Sequence, residues 1–285
     1  MPRRFPPHAI DLGGVRITLL DGGALALDGG AMFGIIPKAL WSRAVTADPE
    51  NRIKLACNCL LVEMGARRVI VETGHGSKYG DKEQKIFAID PTWWLVPALQ
   101  DAGVDPATIT DVVLTHLHFD HAGGLTWLEG ERVMPSFPNA AVHVQEQELT
   151  DARANFGIMT ATYRAPNLDP TMNWRPMTGE IEILPGVFAL LSPGHTRGHH
   201  SIRIAGKDRD AVFCGDVMPT AAHVGAPYNM GYDLFPLDNR ESKRRILATV
   251  AKTDAILVIG HEPNTPLVTV RPDGDWFRLE PLAGA

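Results

Sequence analysis

Cysteine is scarce, with three in 285 residues. Cys57 and Cys59 stand two apart in an apolar run with strand character, so they share a face and cannot easily bridge each other. Cys214 lies in a separate run. An odd count with no Cys-x-x-Cys pair points to reduced thiols and a cytoplasmic protein. Long apolar runs are also missing; nothing approaches the ~18 residues that a membrane span needs. The first residues, Met1-Pro2-Arg3-Arg4-Phe5-Pro6-Pro7, carry basic charge with no apolar stretch behind it, so no signal peptide is expected. There is no basic excess. The net charge of −6 disfavours a nucleic-acid partner. The short clusters Arg3-Arg4, Arg67-Arg68 and Lys243-Arg244-Arg245 are taken as solvated surface charge. Linkers, repeats and breaks in composition are absent as well. With 45% hydrophobic residues the chain is expected to form a single domain over residues 1–285.

What the sequence does hold is concentrated in Thr115-His116-Leu117-His118-Phe119-Asp120-His121-Ala122-Gly123-Gly124. Residues 109–114 before it are β-branched and apolar, which predicts a strand. The small residues after it predict a loop entering a helix. Three histidines and an aspartate therefore gather at the C-terminal end of a buried strand, where α/β proteins place their chemistry. Imidazoles and a carboxylate at this spacing suit zinc or another first-row metal. His116 and His118 can point to one side of an extended segment, and Asp120 and His121 follow a turn that lets them face a second metal.

Other apolar runs also end in histidine or aspartate: His195 in Pro193-Gly194-His195, Asp216 in Gly215-Asp216, and His261 in Gly260-His261-Glu262-Pro263. Strands are predicted over 15–20, 55–63, 68–71, 140–145, 181–184, 187–191, 201–204, 211–214, 255–259 and 267–270. Helices are predicted over 93–102, 147–155 and 241–252, the last capped by Asp238 or Asn239. Residues 21–41 are too glycine-rich for a helix. Met32, Phe33 and Ile35 are expected there to wall a substrate pocket, since pockets are mostly apolar. His75 is expected to be an exposed loop histidine, and His199 a partner of a ligand.

Thr-His-x-His-x-Asp-His followed by Ala-Gly-Gly resembles the signature of the metallo-β-lactamase fold hydrolases. The resemblance spans about residues 55 to 265 and implies an α+β fold, a four-layer αββα sandwich. It implies two divalent metal ions, zinc first, with cobalt, manganese or iron as alternatives. His116, His118 and His195 would hold metal one; Asp120, His121 and His261 metal two; Asp216 would bridge both. Asp120 and Asp216 are thereby also the expected catalytic carboxylates. The implied reaction is hydrolysis by a metal-bridging hydroxide, since a divalent metal lowers the pKa of bound water from 15.7 to roughly 7.

Departures from the pattern sort the subfamilies. Asp216 argues against true β-lactamases of this fold. Val217-Met218-Pro219-Thr220-Ala221 lacks the look of the glutathione-binding segment of glyoxalase II, and His118 stands where flavodiiron proteins carry Glu. What remains is similar to the quorum-quenching lactonases and methyl parathion hydrolases, which implies a small-molecule lactone, aryl ester or phosphate ester as substrate. No nucleic-acid or membrane partner is expected, and a homodimer is left open. Pro219 occupies the position of the lactonases' oxyanion tyrosine, and His223, Tyr228 or Tyr232 is the expected substitute, with His223 taken as the catalytic candidate. Glu72 replaces the aspartate that usually supports the metal ligands, leaving open whether it still accepts an imidazole N–H. The competing expectation is a mononuclear iron sulfur dioxygenase of the same fold.

Overall fold

The computed structural model describes residues 7–159 and 161–282. They divide into two compact units. Unit one takes the chain up to Leu25 and Ala56–Thr178; unit two takes Ala26–Leu55 and Gly179 onward.

A seven-stranded sheet runs in the order His8–Asp11, Arg16–Asp28, Arg52–Met64, Arg67–Val71, Asp111–Val113, Ala141–Gln145, Asn173–Met177. Its last four strands are mutually parallel. Parallel strands need crossovers, and helices Leu95–Asp101 and Glu146–Arg153 lie on two of them. Val69, Ile70, Val71, Val112 and Val113 are all buried. A continuous β-branched run of this kind is what a strand covered on both faces requires. The core of unit one gathers Leu61, Ile70, Val112, Leu114, Leu117, Val142 and Leu149.

A second seven-stranded sheet runs Glu182–Leu184, Val187–Leu191, His200–Ile204, Ala211–Phe213, Ile256–Val258, Leu267–Asp273, Trp276–Pro281. Only Ala211–Phe213 and Ile256–Val258 pair in parallel among its described strands. Helix Pro236–Thr253 forms the crossover between these two strands. Its Ile246, Leu247 and Val250 pack with Val212, Leu257 and Val268.

Several elements differ from expectation. The long helix begins at Pro236, five residues early, because proline at the first turn gives up an N–H that has no intrahelical partner anyway. Neither Asp238 nor Asn239 caps it. Gly29–Phe33 does form a short helix, started by the Asp28 carboxylate accepting the Ala31 N–H at 2.8 Å. Lys243 is fully buried rather than solvated. Its ammonium donates to the carbonyls of His223, Gly225 and Tyr228 at 2.8–2.9 Å, and burial pulls its pKa down to about 7.

Candidate metal centre

In unit one the ligand segment begins where the Asp111–Val113 strand stops. Thr115–His118 has no regular structure, and Phe119–Ala122 makes a single helical turn. The turn brings the rings together. His116 and His118 centroids are 4.5 Å apart, His116 and His121 centroids 4.0 Å, and Asp120 Oδ1 is 3.9 Å from His121 Nε2. His116, Asp120 and His121 are buried. The glycines that follow are there for close approach. A Cβ on Gly123 would sit 2.0 Å from the His75 carbonyl oxygen, and one on Gly124 would sit 2.2 Å from that of Thr73.

Glu72 does reach the site. Its Oε2 lies 2.7 Å from His121 Nδ1, and its Oε1 accepts the Thr115 N–H at 2.6 Å. The backbone at Glu72 is left-handed (φ 65), a conformation that non-glycine residues seldom adopt and that functional sites retain. With Nδ1 donating to Glu72, His121 presents the lone pair of Nε2, the form that binds metal.

Unit two supplies a second set. His195 Nδ1 lies 2.9 Å from Asp233 Oδ1. The other oxygen of Asp233 accepts from the Met230 N–H and from the amides of Asn229 and Asn239, so this buried carboxylate is well satisfied. His195 Nε2 then faces Asp216 Oδ2 at 3.4 Å, while Asp216 Oδ1 faces His261 Nε2 at 3.2 Å. Asp216 follows the Ala211–Phe213 strand and His261 the neighbouring parallel strand Ile256–Val258, which explains why both arrive at one end of the sheet. The Asp216 N–H donates to His199 Nε2 at 3.0 Å, and His199 Nδ1 meets the Ser192 carbonyl at 3.0 Å. The Pro219 carbonyl accepts the His261 N–H at 2.9 Å, so the residue standing in the tyrosine position serves through its backbone.

These donors fit a divalent metal. With Nδ1 of His195 donating to Asp233, its Nε2 lone pair faces a carboxylate oxygen, and two acceptors in contact call for positive charge. Buried imidazole nitrogens and carboxylate oxygens are the donor types that zinc and its neighbours take.

Three sequence expectations are corrected. His223 is buried, with Nδ1 2.7 Å from Thr220 Oγ1 and Nε2 2.8 Å from the Met32 carbonyl. Both ring nitrogens are committed to the protein, and burial holds the pKa down at about 4. The ring ties two segments of unit two together and is not presented to a substrate. Met32 and Phe33 are likewise interior, with Phe33 stacked on His223 at 4.5 Å and on Trp41 at 5.2 Å. Of the expected pocket residues, Ile35 alone is open, at 87% exposure. His75 is buried rather than exposed, and its Nδ1 lies 2.7 Å from the Gly76 carbonyl. Asp233 was not anticipated. It sits in a stretch with no periodicity, and only the folded chain brings it to His195.

His200, next to His199, is fully buried at the start of its strand, and burial lowers its pKa from 6.5 to about 3. Below pH 6.5 the unfolded chain takes up a proton that the folded chain refuses. Stability present above 6.5 is therefore lost as pH falls toward 3, by about 1.4 kcal/mol per pH unit. His200→Leu is expected to remove this slope. Urea unfolding of both proteins at pH 7.5, 6.0 and 5.0 checks it, since every other titrating group cancels in the difference. Parallel acid limbs would contradict the assignment.

A metallo-beta-lactamase superfamily model matches residues 52–261. A probable metal-dependent hydrolase from Staphylococcus aureus superposes with a TM-score of 0.86 at 30% identity, covering 96% of this chain and 99% of that one. An N-acyl homoserine lactonase from a Bacillus species is 28% identical over 232 residues, covering 76% of this chain and 85% of the relative. The dizinc quorum-quenching lactonase AidC superposes with a TM-score of 0.80 at 19% identity, covering 98% of each chain. The ligand motif, the strand-end placement and these matches agree: the chain belongs to the metallo-β-lactamase superfamily and has its α+β fold.

Proposed function

We propose that His116, His118, Asp120, His121, His195, Asp216 and His261 form one dinuclear centre, and that the protein hydrolyses lactones. The chain is a metal-dependent hydrolase; the number of metals, zinc as their identity and the lactone substrate are the parts proposed here. The observation that carries the reading is Asp216. Its two oxygens turn to different histidines, His195 and His261, which the family pattern assigns to different metals. A carboxylate so placed suits a bridge and disfavours the one-metal dioxygenase alternative. The relatives named as N-acyl homoserine lactonases support a lactone over an aryl or phosphate ester.

Bound divalent metal would supply a water acidic enough to ionise near neutral pH and a Lewis acid for the substrate's carbonyl oxygen. The chain's own part is positional. Glu72 and Asp233 hold the Nδ1 protons of His121 and His195, fixing the tautomer that turns Nε2 inward. Asp120 places a second carboxylate beside His121, where it can accept a hydrogen bond from the attacking water. With Pro219 in the tyrosine position and His223 buried, neither of these side chains is offered to the oxyanion. Ile35 remains the residue offered to an apolar substituent.

The test is a panel of N-acyl homoserine lactones, simple lactones, aryl esters and organophosphates assayed on zinc-loaded protein. Lactone turnover should exceed the others by at least ~10-fold in kcat/KM, which corresponds to 1.36 kcal/mol of transition-state discrimination. A chelator should abolish it. Preferred turnover of an organophosphate, or lactone turnover that survives chelation, would overturn the proposal.

A further inference from the structure

Thr115–His118 lies outside any strand or helix, so its N–H groups need acceptors other than a ladder or helical carbonyl. Glutamates serve two of them. Glu72 takes the Thr115 N–H, as described above. Glu148 takes the Leu117 N–H at 3.0 Å through Oε1, and the same oxygen accepts the Tyr163 hydroxyl at 3.0 Å. His116 is thus flanked on both sides by a peptide N–H held by a buried carboxylate. Leu117 is the residue between the two histidines. Its side chain is buried in the same core cluster as Leu149 and Tyr163, so core packing and the bond to Glu148 hold it together. Tyr163 also packs near His118, with ring centroids 5.1 Å apart.

We propose that Glu148, on helix Glu146–Arg153, is a positioning residue for His116 and His118, acting through the Leu117 N–H and braced by Tyr163. A fully buried carboxylate is costly unless its acceptors are used, and here one oxygen takes two donors. The role is geometric. The peptide at Leu117 sets how far apart the two imidazoles stand and how they are turned, and a small rotation of it moves both ring nitrogens together. This rests on the reading of His116 and His118 as metal ligands.

Two variants separate geometry from charge. Glu148→Gln keeps the reach and the accepting oxygen but loses the charge. Glu148→Asp keeps the charge but draws the oxygen back by one methylene, out of range of Leu117. Zinc affinity is read by competition with a chromophoric chelator, with zinc content per chain measured on the same samples. The glutamine variant should bind two zinc ions within about threefold of the wild-type affinity. The aspartate variant should lose ~10–100-fold in affinity for one of the two, the range found when a partner of a metal ligand is removed. Aspartate behaving as wild type, or glutamine losing the metal, would overturn the proposal; the glutamine result decides alone if the aspartate variant does not fold. Wild-type protein that binds no metal through His116 and His118, tested with His116→Ala, would instead defeat the metal reading itself.

Discussion

Asp216→Asn is expected to release most of one metal ion and to lower kcat at least ~100-fold. The reason lies in the two contacts of the native carboxylate, 3.4 Å from His195 Nε2 and 3.2 Å from His261 Nε2. Asparagine keeps the shape but replaces one of the two oxygens with an NH₂ group that cannot ligate. Whichever way the amide turns, one histidine faces an NH₂ group in place of an oxygen, and the other faces a neutral carbonyl in place of an anionic oxygen. The substitution also removes a negative charge from a buried site, which would leave the two proposed cations with less compensation between them. The fold should persist. The Asp216 N–H remains bonded to His199, and the residue follows the end of a strand rather than filling the core. Metal content and turnover measured on the same sample check this, and two metals retained with near wild-type turnover would show that Asp216 is no bridge.

Phe33→Ala is expected to cost about 3–5 kcal/mol of stability, the range for truncating a fully buried aromatic. The ring lies between Trp41 (5.2 Å, interplanar angle 9°) and His223 (4.5 Å, 4°), with Tyr228 edge-on at 6.2 Å. Removing it leaves a cavity that three aromatic neighbours cannot close without moving the Met32 carbonyl, to which His223 is bonded. For a chain this size the cost corresponds to roughly 2–4 °C of melting temperature per kcal/mol, so a fall of ~10 °C is expected. KM for a short lactone should change little, because Phe33 is interior. A shifted KM with an unchanged melting temperature would restore Phe33 to the substrate entrance.

The candidate ligands were legible because each stands close in sequence to an apolar run. Histidine and aspartate within a few residues of an apolar run announce a strand end, and all seven candidate ligands lie just beyond strands. The residues that hold those ligands were not legible, because their partners are far away in sequence. Asp233 meets His195 across 38 positions and Glu148 meets Leu117 across 31. The Glu72 substitution could be seen, but its outcome depended on a left-handed backbone that composition does not reveal. The glycines around Met32 and Phe33 suggested an open loop, whereas the Asp28 cap turns the segment into a helix whose apolar side chains go inward. Strands His8–Asp11, Asn173–Met177 and Trp276–Pro281 were missed for a related reason. Each lies at the edge of a sheet and carries polar or proline residues that blur the period-two pattern.

Zinc bound per chain, measured by titration into metal-free protein with turnover followed at each addition, tests the proposed two-metal centre most directly. Two zinc ions per chain, with activity rising until the second is bound, is the predicted result. Saturation at one zinc ion with full activity would contradict it.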